Sequence, residues 1–289
     1  MAFARISCAT DFSSCSDVAL QVASRMARQA DAELIIFHVW HVPAATHGEF
    51  LLQLESLQSL VEDAQRRLDD AVRVATSRGV RRVQGRILNG TPWVEIVGEL
   101  ERTAADLCVI GTQGRTGMSR VLLGSVAETV IRHAPCSVLA VRGDGGGDAF
   151  AHVVVPTDFS ESAAYAADLA AELASTSLTL LHVTEVPELR SGEVTLEELA
   201  SRLDERAAVA LDTLAARMTG ATRATVTRQA RVGYPGAQIL AALDAERGVD
   251  LVVMGSEGRT GIRRLLLGSV AAKVVRHAHC SVLVARRRT

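Results

Sequence analysis

Lysine is nearly missing from this chain. Of its 31 basic residues, Lys273 is the one lysine and the others are arginine. Lys273 follows Ala272, so there is no Gly-Lys-Ser/Thr and hence no Walker A phosphate loop. Kinase-type and Schiff-base lysine chemistry lose their usual residue everywhere except at that position. Cysteine is scarce and odd in number: Cys8, Cys15, Cys108, Cys136 and Cys280 make no CxxC pair and are too few for a disulfide framework. No apolar run approaches the ~20 residues of a membrane helix. Asp11, Asp17 and Arg25 fall where a signal peptide would be apolar. Net charge is small as well, 31 Lys plus Arg against 33 Asp plus Glu, which argues against a main role in gripping nucleic acid or an anionic membrane surface. HExxH and GxSxG are absent, and no Ser/His pair stands at motif spacing. These absences predict a soluble, cytoplasmic protein with no hydrolase signature.

What the chain does have is globular composition, 48% hydrophobic and 22% charged over 289 residues, enough for two domains at ~150 residues each. It also repeats itself. Gly124 to Arg142 reads GSVAETVIRHAPCSVLAVR and Gly268 to Arg286 reads GSVAAKVVRHAHCSVLVAR, identical at thirteen of nineteen positions. Gly111-Thr-Gln-Gly114-Arg-Thr-Gly117 aligns with Gly255-Ser-Glu-Gly258-Arg-Thr-Gly261. Thr10-Asp-Phe-Ser13 aligns with Thr157-Asp-Phe-Ser160, and His38-Val39 with His182-Val183. The offset is 147 at the start and 144 at the end, a net loss of three residues in the second copy. The composition predicts a first domain over 1–142, a Gly/Asp linker over 143–150, and a second domain over 151–289.

Within each copy strand and helix signals alternate. The first copy predicts strands over Ile6–Ala9, Glu33–Trp40, Arg82–Leu88, Asp106–Ile110 and Ser137–Val141. Helices are expected over Ser16–Ala30, Phe50–Ser77, from Pro92, where proline suits the first turn, and over Ser125–Arg132. The second copy repeats this from Val153 to Ala285. Such alternation implies an α/β fold: two tandem doubly wound domains, each a five-stranded parallel sheet of order 3-2-1-4-5 with helices on both faces. In that order the winding reverses between strands 1 and 4, and a ligand crevice lies beyond the carboxyl ends of those strands.

The loops expected there carry Thr10-Asp11 and the glycines Gly111, Gly114 and Gly117. Three glycines in seven residues expose backbone N–H groups suited to a phosphate chain. Gly124-Ser125 then opens a helix whose free amides and positive end add an anion site, and Arg115 and Arg120 can supply charge. Asp11 and Asp158 can also start the following helix together with Ser13 and Ser160. His38 and His182, inside apolar strands, read as satisfied core histidines. His133-x-x-Cys136 and His277-Ala-His279-Cys280 lie where a helix meets a strand and do not gather the four ligands of a zinc site. Cys15 falls in the first turn of a helix, a place that can lower a thiol pKa.

Glycine, two residues, glycine, nine residues, then Gly-Ser occurs at Gly111/Gly114/Gly124-Ser125 and again at Gly255/Gly258/Gly268-Ser269. This spacing resembles the ATP-binding signature of the universal stress protein family, here as a tandem pair covering nearly the whole chain. The resemblance implies ATP as ligand. The strand-1 ends Ala9, Thr10, Asp11 and Pro156, Thr157, Asp158 would lie beside the nucleotide, with Val39 and Val183 offering backbone to adenine. Gly111, Gly114, Arg115, Gly124, Ser125 and Val126 would hold phosphates and ribose, as would Gly255, Gly258, Arg259, Gly268, Ser269 and Val270. Asp11 and Asp158 could place a nucleotide-bound Mg²⁺. Gly90-Thr-Pro92 and Gly233-Tyr-Pro235 match the family's loop after strand 3. Ala9 departs from the family pattern, which Pro156 follows more closely. No residue is identified to orient an attacking water, so the expected role is a non-enzymatic stress-response regulator with at most weak ATP hydrolysis. Its nucleotide would order the glycine loops and change a surface offered to a protein partner. The alternatives are a slow ATPase and a nucleotide-free scaffold with vestigial pockets. The family pairs its last strands between subunits, so Cys136–Val141 and Cys280–Ala285 are expected to pair in an intramolecular pseudo-dimer, with a homodimer also open. The segments His41–Glu49 and Glu185–Glu193 differ most between copies and are candidate partner surfaces.

Overall fold

The computed structural model describes residues 3–41, 50–112, 123–143, 145, 147, 149–185, 196–246, 248–258 and 267–288, with only the backbone given for 50–58 and 196–204. The chain divides into two compact units, Met1–Gly145 and Gly146–Arg287. The first runs β1 (Arg5–Ala9), α1 (Ser14–Ala30), β2 (Glu33–Trp40), α2 (Phe50–Ser77), β3 (Arg82–Asn89), α3 (Pro92–Arg102), β4 (Leu107–Gly111), α4 (Ser125–His133) and β5 (Ser137–Val141). The second runs β6 (Phe150–Thr157), α5 (Glu161–Leu173), β7 (Ala174–Thr184), α6 (Leu196–Thr219), β8 (Thr225–Val232), α7 (Pro235–Ala245), β9 (Leu251–Gly255), α8 (Ser269–His277) and β10 (Ser281–Ala285).

Each unit is a five-stranded parallel sheet, ordered β3-β2-β1-β4-β5 in the first and β8-β7-β6-β9-β10 in the second. The inner strands β1 and β4 are buried along nearly all their length, as a parallel strand covered on both faces must be. β3 is the most polar strand; most of its residues reach solvent, as befits an edge that arginines keep from pairing further. Helices cover both faces: α1 touches α2, and α3 packs on α4. Phe37, Leu34 and Ile36 of β2 have no appreciable exposure, and each contributes ~1.5–3 kcal/mol by burial.

β1 pairs with β2 from Arg5↔Glu33 to Ala9↔Phe37 and with β4 from Ile6↔Leu107 to Ala9↔Ile110. The winding therefore reverses between β1 and β4. In the second unit β6 pairs with both β7 and β9. The copies differ near their starts. The second copy's first strand starts at Phe150 rather than Val153, because Phe150 pairs with Ala174 ahead of a register shift. Helix α1 ends at Asp31, left-handed at φ 51°. Helix α5 stops at Leu173 with an extended Ala174, and β7 begins there without a turn. Three residues are thus lost before His182, which stands 144 positions after His38; the offset is 143 at Gly90 and Gly233 and 144 again at Gly111 and Gly255.

Candidate functional site

The turn leaving β1 is built the same way as the turn leaving β6. Thr10 Oγ1 accepts from the Phe12 amide at 3.0 Å, and Thr157 Oγ1 from the Phe159 amide at 3.1 Å. Phe12 and Phe159 are left-handed, φ 60° and 63°, an uncommon conformation for a bulky side chain. Asp11 Oδ1 accepts from Ser13 N at 3.0 Å and from Ser13 Oγ at 2.6 Å, and Asp158 repeats this with Ser160 at the same two distances. Ser13 and Ser160 in turn cap α1 and α5, accepting from Ser16 N and Ala163 N.

The histidines stabilise these turns from the neighbouring strand. His38 Nδ1 lies 2.7 Å from the Thr10 carbonyl, and His182 Nδ1 2.7 Å from that of Thr157, a bond that places a proton on each Nδ1. Their rings lie 4.5 Å and 4.6 Å from those of Phe12 and Phe159. Both histidines are buried and bonded, in keeping with a core role.

Beyond the carboxyl ends of β1 and β4 lies a cavity of about 270 Å³. It brings together Ala9, Thr10, Asp11, Val39, Gly111, Gly124, Ser125 and Val126 with Ser16, Phe37, Pro92, Ile96, Ile110, Thr112 and Ala127. The second unit has a cavity of about 330 Å³ in the corresponding place. Pro156, Thr157, Asp158, Val183, Gly255, Gly258, Gly268, Ser269 and Val270 line it, along with Ala163, Leu181, Glu185, Pro235, Ile239, Met254, Ser256, Glu257 and Ala271. Gly114, Arg115 and Arg259, together with Gly117, Arg120 and Gly261, lie outside the described residues. So do 42–49 and 186–193 within the two candidate partner segments. The wall residues not anticipated from sequence follow two periods: Phe37 precedes Val39 by two on a strand, and Ile96 follows Pro92 by four on a helix.

The glycines differ in what they do. A Cβ on Gly111 would stand 3.0 Å from the carbonyl carbon and oxygen of Cys15, and one on Gly255 2.6 Å from Ser162 Oγ. Both positions let a strand end press against the first turn of its unit's first helix, β4 on α1 and β9 on α5. Among the described residues a Cβ on Gly124 would meet only the Thr112 carbonyl, at 3.3 Å, and one on Gly268 the Ser256 carbonyl at 3.4 Å as its nearest neighbour. These two glycines are the N-caps of α4 and α8, and neither helix has a side-chain cap. Gly124 N donates to Thr112 O at 2.7 Å and Gly268 N to Ser256 O at 2.8 Å, which turns each helix start toward its cavity. First-turn amides without a capping side chain, at the positive end of a nine-residue helix, have the chemistry that suits an anion.

Two thiols near β1 are chemically quiet. Burial pushes the Cys8 thiol up to about 12, and raises that of Cys108 well above its ordinary value. Cys15, in the first turn of α1, is half-buried. Among the described residues no three His, Cys, Asp or Glu side chains gather as a metal site, and no helix is long and apolar enough to cross a membrane. Glu99, fully buried on α3, pairs with Arg86 at 2.8 Å and also with Arg102. Sequence reading missed this triad, and the second copy has Ala242 in its place.

Fold and cavity together define a tandem pair of small doubly wound α/β domains, each with a pocket at its topological switch point. The chain belongs to the universal stress protein family, whose model matches residues 2–142 and again 149–286. A universal stress protein of Methanocaldococcus jannaschii is 39% identical over 136 residues, 44% of this chain and 76% of that protein. The crystal structure of a universal stress protein from Archaeoglobus fulgidus covers 98% of both chains at a TM-score of 0.70 and 21% identity, a likeness of fold.

Proposed function

We propose that each unit binds an adenine nucleotide, ATP above all, and that the protein acts as a cytoplasmic regulator of the stress response. In this reading the nucleotide orders the glycine loops and thereby changes a surface offered to a protein partner. One observation carries it: in both units a cavity at the switch point is walled by a helix N-terminus that begins at glycine and has no side-chain cap. The volumes stand near the lower end of the ~300–1,000 Å³ range of ligand pockets. The apolar wall of Phe37, Val39 and Ile96 suits a base, and the amide end suits phosphates. A magnesium ion would sit mainly on phosphate oxygens, with Asp11 or Asp158 supplying one protein ligand. By the same family resemblance, the last strands of the two copies pair in an intramolecular pseudo-dimer.

The decisive measurement is to denature freshly purified protein, identify released nucleotide by chromatography, and count it per chain. Up to two adenine nucleotides per chain supports the reading. A blank, followed by no calorimetric signal with ATP and Mg²⁺, overturns it. Gly124→Val and Gly268→Val each place a branched side chain where backbone would approach phosphate, so each should remove about one site without unfolding its unit. Equal affinity in these variants would refute the placement.

A further inference from the structure

The walls of the two cavities differ by one hydroxyl. In the first, Thr10 Oγ1 donates to Ser16 Oγ at 3.0 Å, and Ser16 Oγ donates to the Ser13 carbonyl at 2.8 Å. Thr10 and Ser16 both line the cavity and are both buried. Their counterparts 147 positions on are Thr157 and Ala163, which line the second cavity. Thr157 Oγ1 accepts from the Phe159 amide just as Thr10 Oγ1 accepts from that of Phe12. Alanine removes the acceptor for the threonine proton, and among the described residues no other group takes it. Thr157 is 6% exposed, so bulk water does not satisfy it either. A buried hydroxyl with an unspent donor is costly, and this one stands in the wall of the larger cavity, about 330 Å³ against about 270 Å³.

Strand order says which part of a nucleotide meets this donor. The apolar wall that suits a base stands on β7 as Leu181 and Val183, and the uncapped amides of α8 come after β9. β6, which ends at Thr157, lies between β7 and β9. The sugar that joins base to phosphate therefore passes over Thr157. We propose that the second cavity reads this sugar: Thr157 Oγ1 donates to a ribose hydroxyl oxygen, which takes the place that Ser16 Oγ holds in the first cavity. This rests on the nucleotide reading above and adds sugar selectivity to one of its two sites. In the first cavity the threonine proton is already spent on Ser16, so this contact is not offered to a ligand there. A neutral hydrogen bond of this kind is worth about threefold to tenfold in affinity.

The test titrates the full chain with ATP, 2′-deoxy-ATP and 3′-deoxy-ATP in the presence of Mg²⁺, by calorimetry for both sites and by tryptophan fluorescence for the first. The chain's two tryptophans, Trp40 and Trp93, directly follow Val39 and Pro92 in the first cavity wall, so fluorescence assigns the sites. One deoxy analogue should bind about threefold or more weaker than ATP at the second site and less than about twofold weaker at the first. Ala163→Ser supplies the acceptor that Thr10 has and should bring ATP down to the level of that analogue at the second site. Ser16→Ala should create the same discrimination at the first site, and its fluorescence readout decides independently of how well the Ala163→Ser chain folds. Equal analogue ranking at both sites, or variants that leave the rankings unchanged, overturns the proposal while the nucleotide reading stands. Absence of ATP binding overturns the nucleotide reading itself, and this inference with it.

Discussion

Alanine in place of Gly255 should unfold the second unit several degrees earlier than alanine in place of Gly268. Both glycines belong to the same repeated spacing, and sequence alone treats them alike. A Cβ at Gly255 would stand 2.6 Å from Ser162 Oγ and 2.9 Å from the Ser162 carbonyl carbon, so α5 must shift away from β9. Overpacking of this kind costs ~1–3 kcal/mol, against ~0.4–1 kcal/mol returned by stiffening the unfolded chain. At Gly268 the nearest atom among the described residues is the Ser256 carbonyl oxygen at 3.4 Å, ordinary contact, and φ is −60°, so the stiffening gain is nearly intact. At ~2–4 °C per kcal/mol for a domain of this size, the net cost of roughly 0–2.6 kcal/mol at Gly255 should lower the melting temperature of Gly255→Ala by up to about 10 °C, whereas Gly268→Ala should leave it unchanged or raise it by up to about 4 °C. Thermal and urea unfolding of nucleotide-free protein reads both. Equal losses, or a larger loss at Gly268, would refute the division between a packing glycine and a ligand-facing one.

Phe12 offers a second test: Phe12→Gly should be more stable than Phe12→Ala by about 1 kcal/mol, since both lose the contact with His38 but only glycine takes φ 60° freely. Equal urea midpoints would remove backbone strain from the account. In a thiol titration at pH 8, Cys15 alone should react in the folded chain, the other four being buried, with all five appearing in urea. At alkaline pH the unfolded Cys8 thiol ionises from 9.0 while the folded one holds its proton to about 12. Unfolding therefore releases a proton in that window and stability falls as pH rises through it; Cys8→Ala should show a shallower fall in urea titrations from pH 8 to pH 10. Arg86→Ala with Arg102→Ala strands the buried Glu99 carboxylate and should cost about 3 kcal/mol or more. A loss under 1 kcal/mol by urea denaturation would show that the carboxylate finds water or its proton instead.

Strand order was legible from the strand–helix alternation of a doubly wound sheet, and RVQGRILN of β3 marks one solvent-facing edge, whereas LCVIG of β4 and SVLAV of β5 are equally apolar and do not tell the inner strand from the terminal one. Helix starts were legible to within two residues. Ser13 misled by being the cap itself, so α1 begins at Ser14 where the apolar spacing suggested Ser16. The repeated spacing marked Gly111, Gly124 and their counterparts but not their separate tasks, which depend on what stands opposite each one. Nor did any local signal show that Phe12 turns left-handed, because phenylalanine rarely does so and its ring packs against His38, one strand away, and under Arg67 of α2.

The sequence by itself determined the tandem repeat, the doubly wound class and the position of each cavity. These follow from periodicity and from the winding rule, both of which act along the chain. The tertiary structure decided which glycines serve packing, that the histidines hold the strand-1 turns, and that Glu185 and Glu257 join Asp158 in the wall of the second cavity. Those are facts of proximity between residues tens to nearly a hundred positions apart, and no local pattern encodes them.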